Sequence, residues 1–130
     1  MSNLFLSAQQ ASQKAYAPYS KFQVGAAIYA DNAKIYTGCN VENISFPCGT
    51  CAEAGAIAAM IADGGKKILQ ILIVADSQQL ITPCGACLQR IAEFATPETI
   101  IHLADFTNIR KSLKISELLP YGFAAEELKK

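Results

Sequence analysis

The stretch "KILQILIVAD" at residues 67–76 constrains this chain more than any other. From Ile71 to Ala75 every position is apolar, so neither face of a strand there can meet water. The run is far too short to cross a bilayer, which takes about 20 apolar residues in a helix. A strand apolar on both faces belongs in the middle of a sheet that is covered on both sides. The flanking segments supply the covers. "CAEAGAIAAMIADGG" (51–65) is alanine-rich and stops at Gly64-Gly65, which predicts a helix. Residues 84–95 predict a second helix after Thr82-Pro83. Residues 2–16 predict another, with Leu4, Ala8, Ala11 and Ala15 on one face and Ser2 or Asn3 as the cap. "APYSKF" breaks that helix, and "QVGAAIYA" (23–30) with "KIYTGCNV" (34–41) around Asp31-Asn32-Ala33 predicts a hairpin. "ETIIHLAD" (98–105) is the next strand. After "NIRKSLK" a turn of helix fits "ISELL", followed by Pro120 and a C-terminal helical piece at 124–129. The order α-β-β-α-β-α-β plus a tail predicts one α/β domain over residues 1–130. Its form is a three-layer α/β/α sandwich around a mixed sheet, with the later strands parallel.

Charge narrows the partners. Eleven basic and eleven acidic residues leave no net charge, and no basic footprint of a nucleic-acid binder appears. No membrane partner is expected either, and "MSNLFLSAQQ" lacks the basic start and long apolar run of a secretory signal. The mean hydropathy of +0.22 leans apolar, which predicts surface buried against other subunits. Five cysteines without an export signal point to a reducing cytoplasm, where clustered thiols serve metals more often than disulfides.

Those cysteines are patterned. Pro47-Cys48-Gly49-Thr50-Cys51 and Pro83-Cys84-Gly85-Ala86-Cys87 write Pro-Cys-Gly-x-Cys twice. Cys84 and Cys87, three apart at a helix start, can converge on one zinc ion, and the helix N-terminus favours thiolate. If Cys48 and Cys51 both joined them, the site would be a closed structural one. "Cys51-Ala52-Glu53" argues otherwise, because a glutamate beside a metal but not on it can move protons to and from a metal-bound water. A His or Cys, then x-Glu, then Pro-Cys-x-x-Cys is the zinc deaminase signature, met here by Cys51, Glu53, Pro83, Cys84 and Cys87.

Over nearly its whole length the chain closely resembles the small homotetrameric cytidine deaminases. The resemblance is carried by "YAPYSKFQVGAA" (16–27), "TGCNVEN" (37–43), "TCAE" (50–53), "PCGAC" (83–87) and "ELLPYGF" (117–123). It implies the α/β/α fold, one zinc per subunit, and hydrolysis of cytidine or deoxycytidine to uridine or deoxyuridine with release of ammonia. It implies zinc on Cys51, Cys84 and Cys87, with Glu53 passing a proton from zinc-bound water to N3 and then to the leaving amino group. Asn40 and Glu42 are implied to bind the ribose 3′-hydroxyl, Phe22 to line the pyrimidine pocket, and the Ala52 backbone to meet the base edge. Phe123 is implied to reach a neighbouring subunit's base, so that a homotetramer shares its active sites. Two competing readings share parts of the pattern: a deaminase of another aminopyrimidine nucleoside, of the blasticidin-S type, and a non-enzymatic zinc module using four cysteines, Cys48 included.

The chain also departs from its relatives. Many place an arginine after the catalytic glutamate and another after the last cysteine, to offset the charge of three thiolates. Here Ala54 and Leu88 stand there. Arg90, three residues past Cys87, could substitute from the same helix face but reads rather as a surface or interface residue, so helix dipoles and backbone N–H···S bonds are expected to carry most of the compensation. Phe46 replaces a usual tyrosine. Cys48 reads as a loop thiol, Cys39 as a core residue, and His102 as packed in its strand rather than a ligand.

Overall fold

The computed structural model describes residues 2–124. In chain order the elements are α1 (Ser2–Ser12), β1 (Val24–Ala30), β2 (Ile35–Cys39), a 3-10 turn (Phe46–Cys48), α2 (Ala52–Ala62) and β3 (Ile68–Ala75). Then come α3 (Gly85–Phe94), β4 (Ala95–Ala104), β5 (Ile109–Lys114) and α4 (Ile115–Leu118). The strands form one mixed sheet in the order β2-β1-β3-β4-β5. β1 runs antiparallel to β2 and β3, β3 and β4 are parallel, and β5 is antiparallel to β4.

As the apolar run requires, β3 is the central strand. Its side chains alternate between two cores. Ile71 and Ile73 join Ala26 and Ile28 of β1, Ile101 and Leu103 of β4, and Ala56 and Met60 of α2. Leu72 and Val74 point the other way, onto Ala27 of β1 and onto Leu4 and Ala8 of α1. The sheet therefore lies between α1 on one face and α2, α3 and α4 on the other. Each fully buried aliphatic side chain of this kind contributes about 1.5–3 kcal/mol.

Two glycines set how closely the helices approach. A Cβ on Gly25 would collide with the Ala8 carbonyl of α1, and one on Gly38 with the backbone of Ala52 and Ala56 in α2. The second contact fixes the start of α2 against β2, and the start of α2 carries the chemistry.

One segment departs from expectation. "NIRKSLK", to which the sequence reading assigns no element, contains β5 as a fifth strand. It lies at the sheet edge and exposes Arg110, Lys111 and Lys114. Charged side chains of this kind keep an edge from pairing with other chains, and they also erase the β-rich signature in the sequence. Helix α1 stops at Ser12 rather than continuing to residue 16. The C-terminal helical piece expected at 124–129 lies, beyond residue 124, outside the described residues. Among the described residues no helix is long and apolar enough to cross a membrane.

Candidate active site

Helices α2 and α3 begin near one another, each straight out of a loop. Cys51 is the residue before α2 and Cys84 the residue before α3, both in extended conformation, and neither sulfur makes a capping hydrogen bond. Cys87 follows in the first turn of α3 and is fully buried. The three sulfurs lie within 4.8 Å of one another. Tetrahedral zinc–thiolate bonds of about 2.3 Å set sulfurs about 3.8 Å apart, so this group fits a zinc ion with one position left open. Cys48 is exposed, its sulfur facing the Ser45 hydroxyl at 3.6 Å, and it stands outside the group. All five cysteines are free thiols.

The electrostatics are uneven across the group. The Cys87 backbone N–H at the start of α3 holds the Cys84 thiol below its ordinary range. Burial pushes the thiols of Cys51 and Cys87 up, and the nearby Glu53 carboxylate adds to it. A bound cation would reverse that balance, because a coordinated thiol is deprotonated outright.

Glu53 sits in the first turn of α2 and is only 5% exposed. Its carboxyl is pushed above the usual range, chiefly by burial. Together with the three cysteines and Ala52 it lines a cavity of about 620 Å³. Val24, Ile73, Ile81 and Pro83 supply apolar wall, and Phe46, 77% exposed, stands at the rim. The arrangement is a buried carboxyl lining the same cavity as a metal-capable cysteine cluster.

Asn40 and Glu42 both line this cavity, and both also fold the loop above it. Asn40 Oδ1 accepts from the Val24 N–H at 2.9 Å, and its Nδ2 donates to the Phe22 carbonyl at 2.8 Å. Glu42 Oε1 accepts from the N–H groups of Tyr19 and Ser20 at 3.0 and 3.1 Å. The Ser20 hydroxyl is the main influence holding the Glu42 carboxyl below its usual range. Between these anchors Lys21 takes a left-handed φ of 59°, a conformation a lysine adopts only when its surroundings impose it.

Phe22 and Phe123 do not line the cavity. Phe22 is half-buried, and Phe123 is 58% exposed near the end of the described chain. Tyr19 and Ser20 do line it, although sequence reasoning assigned them no role. Their signal was their place within "YAPYSKF", three and two residues before Phe22.

Arg90 corrects an expectation. Its Nη1 donates to Cys87 Sγ at 3.3 Å, so it is a partner of the cysteine cluster rather than a plain surface arginine. Cys87 and Arg90 are three apart on α3 and therefore share a face. The positive charge also favours the charged forms of Cys51 and Glu53. His102, by contrast, is packed as expected, with Nδ1 on the Ser112 hydroxyl at 2.7 Å and Nε2 on Gln70 Oε1 at 2.8 Å.

A cytidine deaminase of Sporosarcina psychrophila is 38% identical over 125 residues, covering 96% of this chain and 92% of the relative. One of Mycobacterium tuberculosis is 36% identical, covering 93% and 87%. Among solved structures, the cytidine deaminase of Burkholderia pseudomallei superposes with a TM-score of 0.87 at 37% identity, covering 94% of this chain and 98% of that one. Residues 1–103 match the cytidine and deoxycytidylate deaminase zinc-binding region, and the chain belongs to that family.

Proposed function

We propose that this protein hydrolyses cytidine and deoxycytidine to uridine and deoxyuridine, releasing ammonia. The observation that carries the reading is Glu53, a carboxyl 5% exposed that lines the same cavity as Cys51, Cys84 and Cys87. Zinc, one per subunit on those three cysteines, would supply the Lewis acidity that makes water nucleophilic at neutral pH.

The remaining steps belong to the chain. The C4 carbon of the pyrimidine is a weak electrophile until N3 is protonated. A carboxyl whose proton affinity is raised by burial can take a proton from the attacking water, deliver it to N3 and then assist the departing amino group. The apolar walls from Val24, Ile73 and Ile81 exclude bulk water and strengthen each charge interaction within. Ala52, buried at the helix start, offers backbone to the base edge. Asn40 and Glu42 recognise the ribose. A carboxylate matched to a sugar hydroxyl rejects ligands that lack it, since the carboxylate would be left unpaired. With Glu42 Oε1 taken by two backbone N–H groups, its other oxygen is the one available to the sugar.

The active assembly is a homotetramer in the cytoplasm. Exposed apolar side chains around the cavity mouth and C-terminal segment support this, notably Phe46, Ile44, Tyr121 and Phe123. Phe22 acts by supporting the loop, and Phe123 acts on a neighbour's base. Five free thiols suit a reducing compartment.

The test is Glu53→Gln in the zinc-loaded protein. Zinc content stays at one per chain, while loss of cytidine's ultraviolet absorbance slows by about 10²–10⁴-fold. Turnover at the wild-type rate in that variant would remove Glu53 from the chemistry and the reading with it.

A further inference from the structure

Three thiolates on a divalent cation leave a centre of net charge −1. Glu53, in the same cavity, adds another negative charge when ionised. No lysine or arginine lines the cavity among the described residues, and the neighbouring positions Ala54 and Leu88 are uncharged. The cation that touches the cluster is Arg90, whose Nη1 donates to Cys87 Sγ at 3.3 Å. Among the described residues Arg90 forms no ion pair with a carboxylate.

We propose that Arg90 is the positioning residue of the metal centre, supplying the counter-charge and the hydrogen bond that tune the Cys87 thiolate. The inference rests on the zinc reading above. Its physical basis is twofold. Loading zinc onto cysteines displaces their protons and leaves net negative charge, which a fixed guanidinium beside the cluster stabilises. A hydrogen bond to a thiolate also withdraws electron density from it, so the metal keeps more of its Lewis acidity. Partners outside the ligand set characteristically act this way, orienting ligands and tuning the metal. The i to i+3 spacing makes the effect local to α3, so the arginine holds the ligand from the ligand's own helix.

The experiment compares wild type, Arg90→Lys and Arg90→Gln as full-length proteins. Zinc affinity is measured by competition with a chromophoric chelator, and the cobalt(II)-substituted proteins are examined by absorption spectroscopy. Arg90 is solvent-exposed, so neither replacement opens the core, and circular dichroism verifies the fold. Arg90→Gln is expected to bind zinc about 10–100-fold more weakly. Its thiolate-to-cobalt charge-transfer bands are expected to move to lower energy, because an unbonded thiolate is the better donor. Arg90→Lys, which keeps the charge but not the planar fork, falls between. Zinc affinity within about twofold of wild type and an unchanged cobalt spectrum in Arg90→Gln would overturn the proposal. A wild-type protein that binds no zinc would instead overturn the zinc reading on which it stands.

Discussion

Gln89 grips the backbone of Phe123 with both ends of its side-chain amide. Its Nε2 donates to the Phe123 carbonyl at 2.7 Å, and its Oε1 accepts from the Phe123 N–H at 3.0 Å. Gln89 is two residues past Cys87, so the clasp ties the C-terminal segment to the helix that carries the cysteines. Each such bond contributes about 0.5–1.5 kcal/mol and anchors the Phe123 backbone to α3. If Phe123 completes a neighbour's pocket, Gln89→Ala raises the KM for cytidine about three- to tenfold, with little change in kcat and none in zinc content. Steady-state kinetics with metal analysis decide this, and an unaltered KM would mean that the clasp only tidies the chain end.

The two Pro-Cys-Gly-x-Cys stretches make a sharper test. Cys48 looks in sequence like the partner of Cys51, yet its sulfur faces Ser45 while Cys51 joins Cys84 and Cys87. Cys48→Ala should retain full zinc and turnover. Cys51→Ala should lose both, since removing one of three protein ligands dismantles the site. Zinc loss in Cys48→Ala, read by mass spectrometry of the native protein, would restore the four-cysteine alternative.

What could be read from the sequence follows from how local each signal is. β3 was legible because burial on both faces leaves an unbroken apolar run, and Cys84 with Cys87 because ligand spacing within one helical turn is itself a motif. β5 was hidden because an edge strand exposes Arg110 and Lys111 and so loses its hydrophobic signature. The contact of Arg90 with Cys87 turns on a side-chain rotamer, which composition does not encode. The Gln89–Phe123 clasp joins residues 34 apart, and nothing short-range announces it. Asn40 shows the mixed case. Its place at the cavity agrees with its motif, but its two bonds to the loop backbone appear only in three dimensions.

Gly38 tests how the fold positions the site. The start of α2 lies so close to β2 that a methyl group on Gly38 would strike the Ala52 carbonyl and the Ala56 nitrogen. Gly38→Ala must therefore push α2 outward, at a cost of about 1–3 kcal/mol. The displaced residues include Ala52 and Glu53, so catalysis should fall further than the loss of stability explains. The comparison is between kcat at a temperature where the variant is fully folded and its melting temperature. A variant that melts early but turns over normally when folded would show that the site tolerates the shift.

His102 makes the fold sensitive to acid. It is 6% exposed, and burial holds its imidazole below the ordinary value of 6.5. The neutral ring donates from Nε2 to Gln70 Oε1 and accepts the Ser112 hydroxyl at Nδ1, linking β3, β4 and β5. A protonated ring cannot accept, so the folded state resists the proton that the unfolded chain takes up near pH 6.5. The stabilisation is complete above that pH. It falls as pH drops toward the folded-state value, with a slope of at most about 1.4 kcal/mol per pH unit. Asp31, Asp63 and Asp105 have their carboxyls lowered from 3.8, so their acid losses begin at lower pH and do not mask this window. Denaturant unfolding at pH 7.5, 6.5 and 5.5 should show wild type losing stability more steeply than His102→Asn. Zinc retention also weakens in acid, but it does so in both proteins, and the difference between the two slopes isolates the histidine. Parallel slopes would mean that His102 takes its proton as readily folded as unfolded.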